Sequence, residues 1–139
     1  MASGAPRPVV ITDGPGTCRR AADYAALKRL PPGRVLGFID AGPFVLMETP
    51  HAVLAAPYHR NIQGNTAMLD AFLGAPDAAR LKALAVDYVA FCPGAPERYN
   101  YAAAAPAGLA ASLSRGELPK FLERVALDGN ELAVYRPRQ

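Results

Sequence analysis

Two short apolar runs, Val35 to Ile39 and Ala52 to Ala56, mark the middle of the chain, and each ends in turn-forming and polar residues. The first closes in Asp40-Ala41-Gly42-Pro43 and the second in Pro57-Tyr58-His59-Arg60-Asn61. A third run, Val86 to Phe91, closes in Cys92-Pro93-Gly94. Runs of this length, rich in Val, Ile, Leu and Phe and bounded by Gly and Pro, predict strands covered on both faces, the habit of parallel sheets flanked by helices. In such sheets chemistry collects at the carboxyl ends of the strands. All three polar clusters fall there.

Helical spacing fills the intervals. Thr17 is placed to cap a helix running to about Leu30, with Ala21, Tyr24, Leu27 and Leu30 on one face and Pro31-Pro32-Gly33 ending it. Pro43 to Thr49 reads as a helical turn or short helix, closed by Pro50. Met68, Leu69, Phe72 and Leu73 form the apolar face of a helix capped at Asn65 or Thr66 and stopped at Gly74. Asp77 caps another, in which Ala78, Leu81, Leu84 and Ala85 point inward. Ala95 to Ala107 carries the weakest pattern and reads as a long loop, followed by a short helix over Gly108 to Ser114 with Gly116 as its stop. Phe121 to Leu127 and Glu131 to Arg136 read as two strands joined around Asp128-Gly129-Asn130, a hairpin signal. Val9 to Thr12 reads as a short edge strand before a turn at Asp13 to Gly16. The sum is a small α/β sandwich of two or three layers, its sheet mainly parallel with right-handed crossovers and a C-terminal antiparallel hairpin. Residues 17–139 make one domain; residues 1–16, with Ala2-Ser3-Gly4-Ala5-Pro6-Arg7-Pro8, read as a linker or an appended end.

Composition narrows the function classes. At 139 residues the chain is long enough to bury a core without staples. The 51% hydrophobic content is inflated by Ala, so that core rests on rather few large side chains. A net charge of +3 is spread over scattered Arg and Lys, with no basic stripe and no interleaved aromatic platform, which argues against a nucleic-acid module. No run reaches the roughly 18 apolar residues a membrane-spanning helix needs, and Met1 to Pro8 lacks the apolar centre of a signal peptide.

The two cysteines meet through topology. Cys18 begins the helix that precedes the first central strand and Cys92 ends the third, so both belong to one sheet edge. Three readings stand: a disulfide, worth on the order of 4 kcal/mol by loop closure and implying an oxidising compartment; two unrelated thiols; or a reactive Cys18 thiolate acidified at a helix start. Asp40, His51 and His59 invite a metal, but Arg60 opposes a cation and no HxH or HxxxH pair preorganises ligands. An anion or phosphate suits the cluster better. Arg60 offers a bidentate fork, His59 and Asn61 are donors, and the following helix turns its N-terminus to the same place. The candidate ligand site is therefore Asp40, His51, Tyr58, His59, Arg60 and Asn61. The structural alternative is that Asp40 pairs with Arg60 or His59 and ties two strand ends together. Tyr99, Asn100 and Tyr101 either cover a sugar or lipid headgroup or anchor a loop. There is no GxSxG elbow and no GxGxxG opening a helix, so neither a hydrolase nucleophile nor a dinucleotide cofactor is expected, and the catalytic set is empty.

The stretch DAGPFVLMETPHAVLAAPYHRN, an alanine-rich helix pair and then LAVDYVAFCPG resemble the carboxy-terminal soluble domain of uncharacterised bacterial polytopic membrane proteins of the GT-C glycosyltransferase type. The resemblance spans about Cys18 to Arg136 and is most specific in TPHAVLAAPYHRN. It implies a periplasmic accessory domain on an integral membrane protein of the inner membrane, partnered by the membrane-embedded part of the same polypeptide. The acidic catalytic motif of such enzymes lies in that membrane part, so the domain by itself lacks complete chemistry. It further implies a polyprenyl-phosphate sugar near Tyr58, His59 and Arg60. The alternative is a stand-alone small α/β domain that binds an anionic metabolite at the same edge, and a cytoplasmic thiol enzyme is the outlier.

Overall fold

The structure is a computed structural model and describes residues 16–127 and 132–138. Five strands form one sheet in the order β2-β1-β3-β5-β4, with β1 Arg34–Leu36, β2 Ala52–Val53, β3 Tyr88–Phe91, β4 Leu122–Val125 and β5 Ala133–Pro137. β1 pairs parallel with both β2 and β3, while β5 runs antiparallel to β3 and to β4. Four strands therefore point one way and β5 alone opposes them. The expected α/β class holds, with an antiparallel pair closing a parallel core. The tip at Asp128-Gly129-Asn130 and the edge strand at Val9 to Thr12 lie outside the described residues.

Successive residues of a strand face opposite sides of the sheet, and β3 shows what each side packs against. Tyr88 meets His51 and bonds the Pro31 carbonyl, and Cys92 joins Cys18, all on the side of the 3-10 helix Ala21–Arg29 and of α1 Gly42–Glu48. Phe91 faces the other layer, where Phe38 lies within 5.6 Å of it and also touches Phe72 of α2 Ile62–Leu73 and Tyr101 of α4 Pro96–Ala104. Short helices α3 Ala78–Ala83 and α5 Leu109–Ser114 complete the architecture. The fold has three layers. From β1 the chain crosses to β2 by α1 on one face and returns past β1 to β3 by α2 and α3 on the other, the arrangement required when two crossovers of one hand run in opposite directions.

Local departures from the expected elements have physical causes. The first helix is a 3-10 helix and starts at Ala21 rather than at Thr17, because Arg20 is extended and its backbone N–H and guanidinium are both held by Asp23. Tyr24, Leu27 and Leu30 recur every three residues, which is the period of a 3-10 helix and not of an α-helix. β2 covers only Ala52 and Val53: the Leu54 N–H still donates to the Val35 carbonyl of β1, but the Leu54 carbonyl is taken by the Asn61 side chain and the Ala56 N–H and carbonyl by Asn65. The segment expected to be a loop after Ala95 is α4, begun by Pro96 at its first position with Glu97 in its first turn. Asp77 caps α3 as expected, accepting from the N–H groups of Ala79 and Arg80. Ala85, expected to point inward, is exposed and ends that helix in the left-handed region at φ 55°. Among the described residues no helix is long and apolar enough to cross a membrane.

Candidate functional site

The chain leaves β1 toward α1 on one face and leaves β3 toward α4 on the other, so the carboxyl ends of these neighbouring strands part and a crevice opens between them. It is small, with about 20 Å³ of space for the centre of a water molecule, and is lined by Arg19, Tyr24, Phe38, Asp40, Glu97 and the two cysteines. Cys18 and Cys92 are joined as a disulfide across it, with 6.3 Å between their α-carbons. Cys18 is held at φ 59°, a backbone state side chains seldom take. The Tyr24 hydroxyl donates to its carbonyl at 2.7 Å, which secures that turn from below.

Charge in the crevice is divided. Arg19 donates to Asp40 at 3.1 Å, tying the chain beside Cys18 to the end of β1. Burial pushes the Glu97 carboxyl above its ordinary value; its own backbone N–H opposes this, Asp40's charge adds to it and Arg19 again opposes. Burial likewise raises Tyr24, with the charges of Asp23 and Glu97 adding to the effect. The crevice can exchange hydrogen bonds through two carboxyls and a guanidinium.

Beside it, the connection from β2 to α2 is a short rigid projection. The Tyr58 N–H donates to the Ala56 carbonyl at 2.8 Å and the Asn61 N–H to the Tyr58 carbonyl at 3.0 Å, which places His59 and Arg60 at the two corners of a turn. Two asparagines pin its base. Asn65 donates to the Ala56 carbonyl and accepts from the Ala56 N–H, both at 2.9 Å, while Asn61 donates to the Leu54 carbonyl and to Asn65 at 3.0 Å. Gly64 permits this closeness, for a Cβ there would strike the Leu54 carbonyl oxygen. Gly42, at the start of α1, lies equally close to Ala55 and Ala56, so the end of β1 and the base of the projection share one wall.

The expected site residues thus divide. Asp40, Tyr58, His59, Arg60 and Asn61 do gather at the carboxyl edge. His51 does not. It precedes β2 at the opposite edge, 3% exposed, where Nδ1 accepts from the Gly33 N–H at 3.1 Å and Nε2 donates to the Leu27 carbonyl at 2.7 Å. Its ring ties the 3-10 helix to β1, and both nitrogens are used in doing so. Asp40 pairs with Arg19 rather than with Arg60 or His59. Asn61 turns its amide inward and does not cap α2. Tyr58, His59 and Arg60 point to solvent, with no side-chain hydrogen bond or ion pair among the described residues. Tyr101 packs against Phe38 as a loop anchor would, whereas Tyr99 is 55% exposed under the Arg98 guanidinium. Among the described residues no three of His, Cys, Asp and Glu stand close enough to share a metal ion. Arg19, Tyr24 and Glu97 escaped the sequence reading. Their nearness in the chain to Cys18 and Cys92 was the available signal, since a paired disulfide brings its flanking residues to one place.

No protein-family model matches the sequence, and no curated protein matches it in sequence. Likeness appears in three dimensions. The chain resembles the C-terminal globular domain of an oligosaccharyltransferase. That domain, from Archaeoglobus fulgidus, superposes with a TM-score of 0.57 over 85% of this chain and 94% of its own length, at 11% sequence identity. At that identity the likeness is one of fold, and it extends over nearly the whole of both domains.

Proposed function

We propose that the chain is an accessory domain, without complete chemistry of its own, of a glycosyltransferase-like integral membrane protein, facing an oxidising compartment such as the periplasm. Residues 17–139 form the domain and residues 1–16 the linker to the rest of the polypeptide. The observation that carries the reading is the near end-to-end fold likeness to the oligosaccharyltransferase domain. The disulfide supports the compartment, since such bonds persist where thiols are not kept reduced. The carboxyl edge is the working face. Arg60 and His59, at the corners of a pinned turn, meet a phosphate group of a lipid-linked sugar donor or its acceptor, and Asp40 and Tyr58 flank them.

The test is the size and location of the native gene product. An antibody against this domain is expected to detect a polypeptide much larger than 14.7 kDa in the membrane pellet of fractionated cells. A soluble band of 14.7 kDa sinks the reading and leaves the stand-alone domain, holding an anionic metabolite at Arg60 and His59, in its place.

A further inference from the structure

The residues exposed at the carboxyl edge are not the usual polar cover. Pro57 to Arg60 are exposed in succession, Tyr58 at 53%, and Ile62, the first residue of α2, is 71% exposed. Tyr99, in the first turn of α4 beyond β3, is a further exposed ring at this edge. Large apolar side chains left in water cost free energy unless something covers them, and an aromatic ring, a branched aliphatic chain and a guanidinium in one short projection make a particular combination. Tyrosine and arginine each pair an apolar body with a polar head, the division found where hydrocarbon meets lipid headgroups. The projection is also stiff. With both asparagines bonded to the carbonyls at its base, Tyr58, Arg60 and Ile62 are presented without the ordering cost a floppy loop incurs on binding.

We infer that this edge seats on an anionic lipid bilayer, with Tyr58 and Ile62 entering the headgroup region and Arg60 and His59 meeting lipid phosphates. The inference rests on the proposed membrane-attached reading and names the surface that its working face meets. Arg60 has no acidic partner among the described residues, so its charge is free to complement a negative surface. A projection this small holds weakly alone. Joined to a membrane-embedded region it acts at high effective concentration and fixes the domain's orientation.

The chain contains no tryptophan, so Tyr58→Trp installs a single reporter at the tip and Leu118→Trp a control beyond α5. The full 139-residue chain is titrated with phosphatidylcholine vesicles, with vesicles also containing phosphatidylglycerol, and with inorganic phosphate. The expected result is a blue shift of Tyr58→Trp on the mixed vesicles only, with none at Leu118→Trp. Adding Arg60→Ala should weaken the binding about five-fold at low salt, and salt should abolish that difference. No shift at position 58 on mixed vesicles overturns the inference. So does an equal shift at position 118, or the same tip response to inorganic phosphate alone. The cell-fractionation result stands whichever way the vesicles answer, so loss of the seating surface is distinguishable from loss of the membrane-protein reading.

Discussion

Replacing Cys18 and Cys92 together by alanine tests how the carboxyl edge is held. The bond joins residues separated by 74 positions. In the loop-closure account a cross-link over that span removes about 15 cal/mol/K of denatured-state entropy, or about 4.5 kcal/mol at room temperature. Both cysteines are also buried, at 5% and 2% exposure, so the alanine pair loses packing as well. The assay is equilibrium unfolding in urea of the oxidised wild type, the reduced wild type and the double variant. With a slope of about 1.5 kcal/mol per molar urea for a chain of this size, the midpoint of the variant should fall by about 3 M. Its slope should rise, because the released denatured chain expands. The reduced wild type should approach the variant, and the variant should ignore the reductant. A midpoint loss under about 1 M, or a slope unchanged between oxidised and reduced protein, would refute the account in which the bond acts on the denatured chain.

Three further outcomes are expected. Gly64→Ala should lower the thermal midpoint by the equivalent of roughly 1–3 kcal/mol, although alanine in a helix ordinarily gains about 1 kcal/mol over glycine, because its Cβ meets the Leu54 carbonyl and the Asn61 amide. An increase in midpoint would show that the base of the projection is looser than described. Phe38→Ala, which removes a ring packed on Phe72, Phe91 and Tyr101, should cost about 3–5 kcal/mol in urea unfolding, and a cost under about 1 kcal/mol would refute the packing. Glu97→Gln should raise the thermal midpoint at neutral pH: burial lifts the folded-state value of Glu97 above the ordinary 4.5, so the ionised form is the one the fold disfavours. That gain should shrink as pH falls through the folded-state value toward 4.5 and vanish below it; a gain independent of pH would place its cause elsewhere.

Much of the parallel core was legible because it is written in apolar runs. The places of β1, β2 and β3, the α3 cap at Asp77 and the shared edge of Cys18 and Cys92 followed from where such runs stop and where topology returns the chain; of the three readings open for the cysteines, the structure takes the disulfide. The misreadings have one character. His51 precedes β2, so in the parallel sheet already expected it belongs to the amino edge, and grouping it with Asp40 and His59 followed residue type rather than position. β2 looked longer than it is because Leu54 to Ala56 are as buried as strand residues, yet side-chain amides take the Leu54 carbonyl and the Ala56 backbone. α2 starts earlier than its apolar face suggested, since Ile62 and Gly64 serve the projection rather than the core. α4 was hidden by a run of alanines with a weak polar pattern, although Pro96 and Glu97 carried its start signal. The Arg19 to Asp40 pair was beyond reach, because nothing local joins residues 21 positions apart without the fold.

The bridge between Cys18 and Cys92 encloses β1, β2, β3 and the helices between them, and leaves β4 and β5 outside the ring. A peptide bond severed anywhere inside the ring leaves one covalent molecule. A bond severed in the exposed stretch from Arg115 to Leu118 detaches the last two strands, which then depend on noncovalent contacts, the ladder between β3 and β5 and the burial of Leu122, Val134 and Tyr135 in the core. The two halves of this sheet therefore differ in how they survive proteolysis. The half that carries the projection stays covalently joined when nicked, and the half that closes the sheet does not.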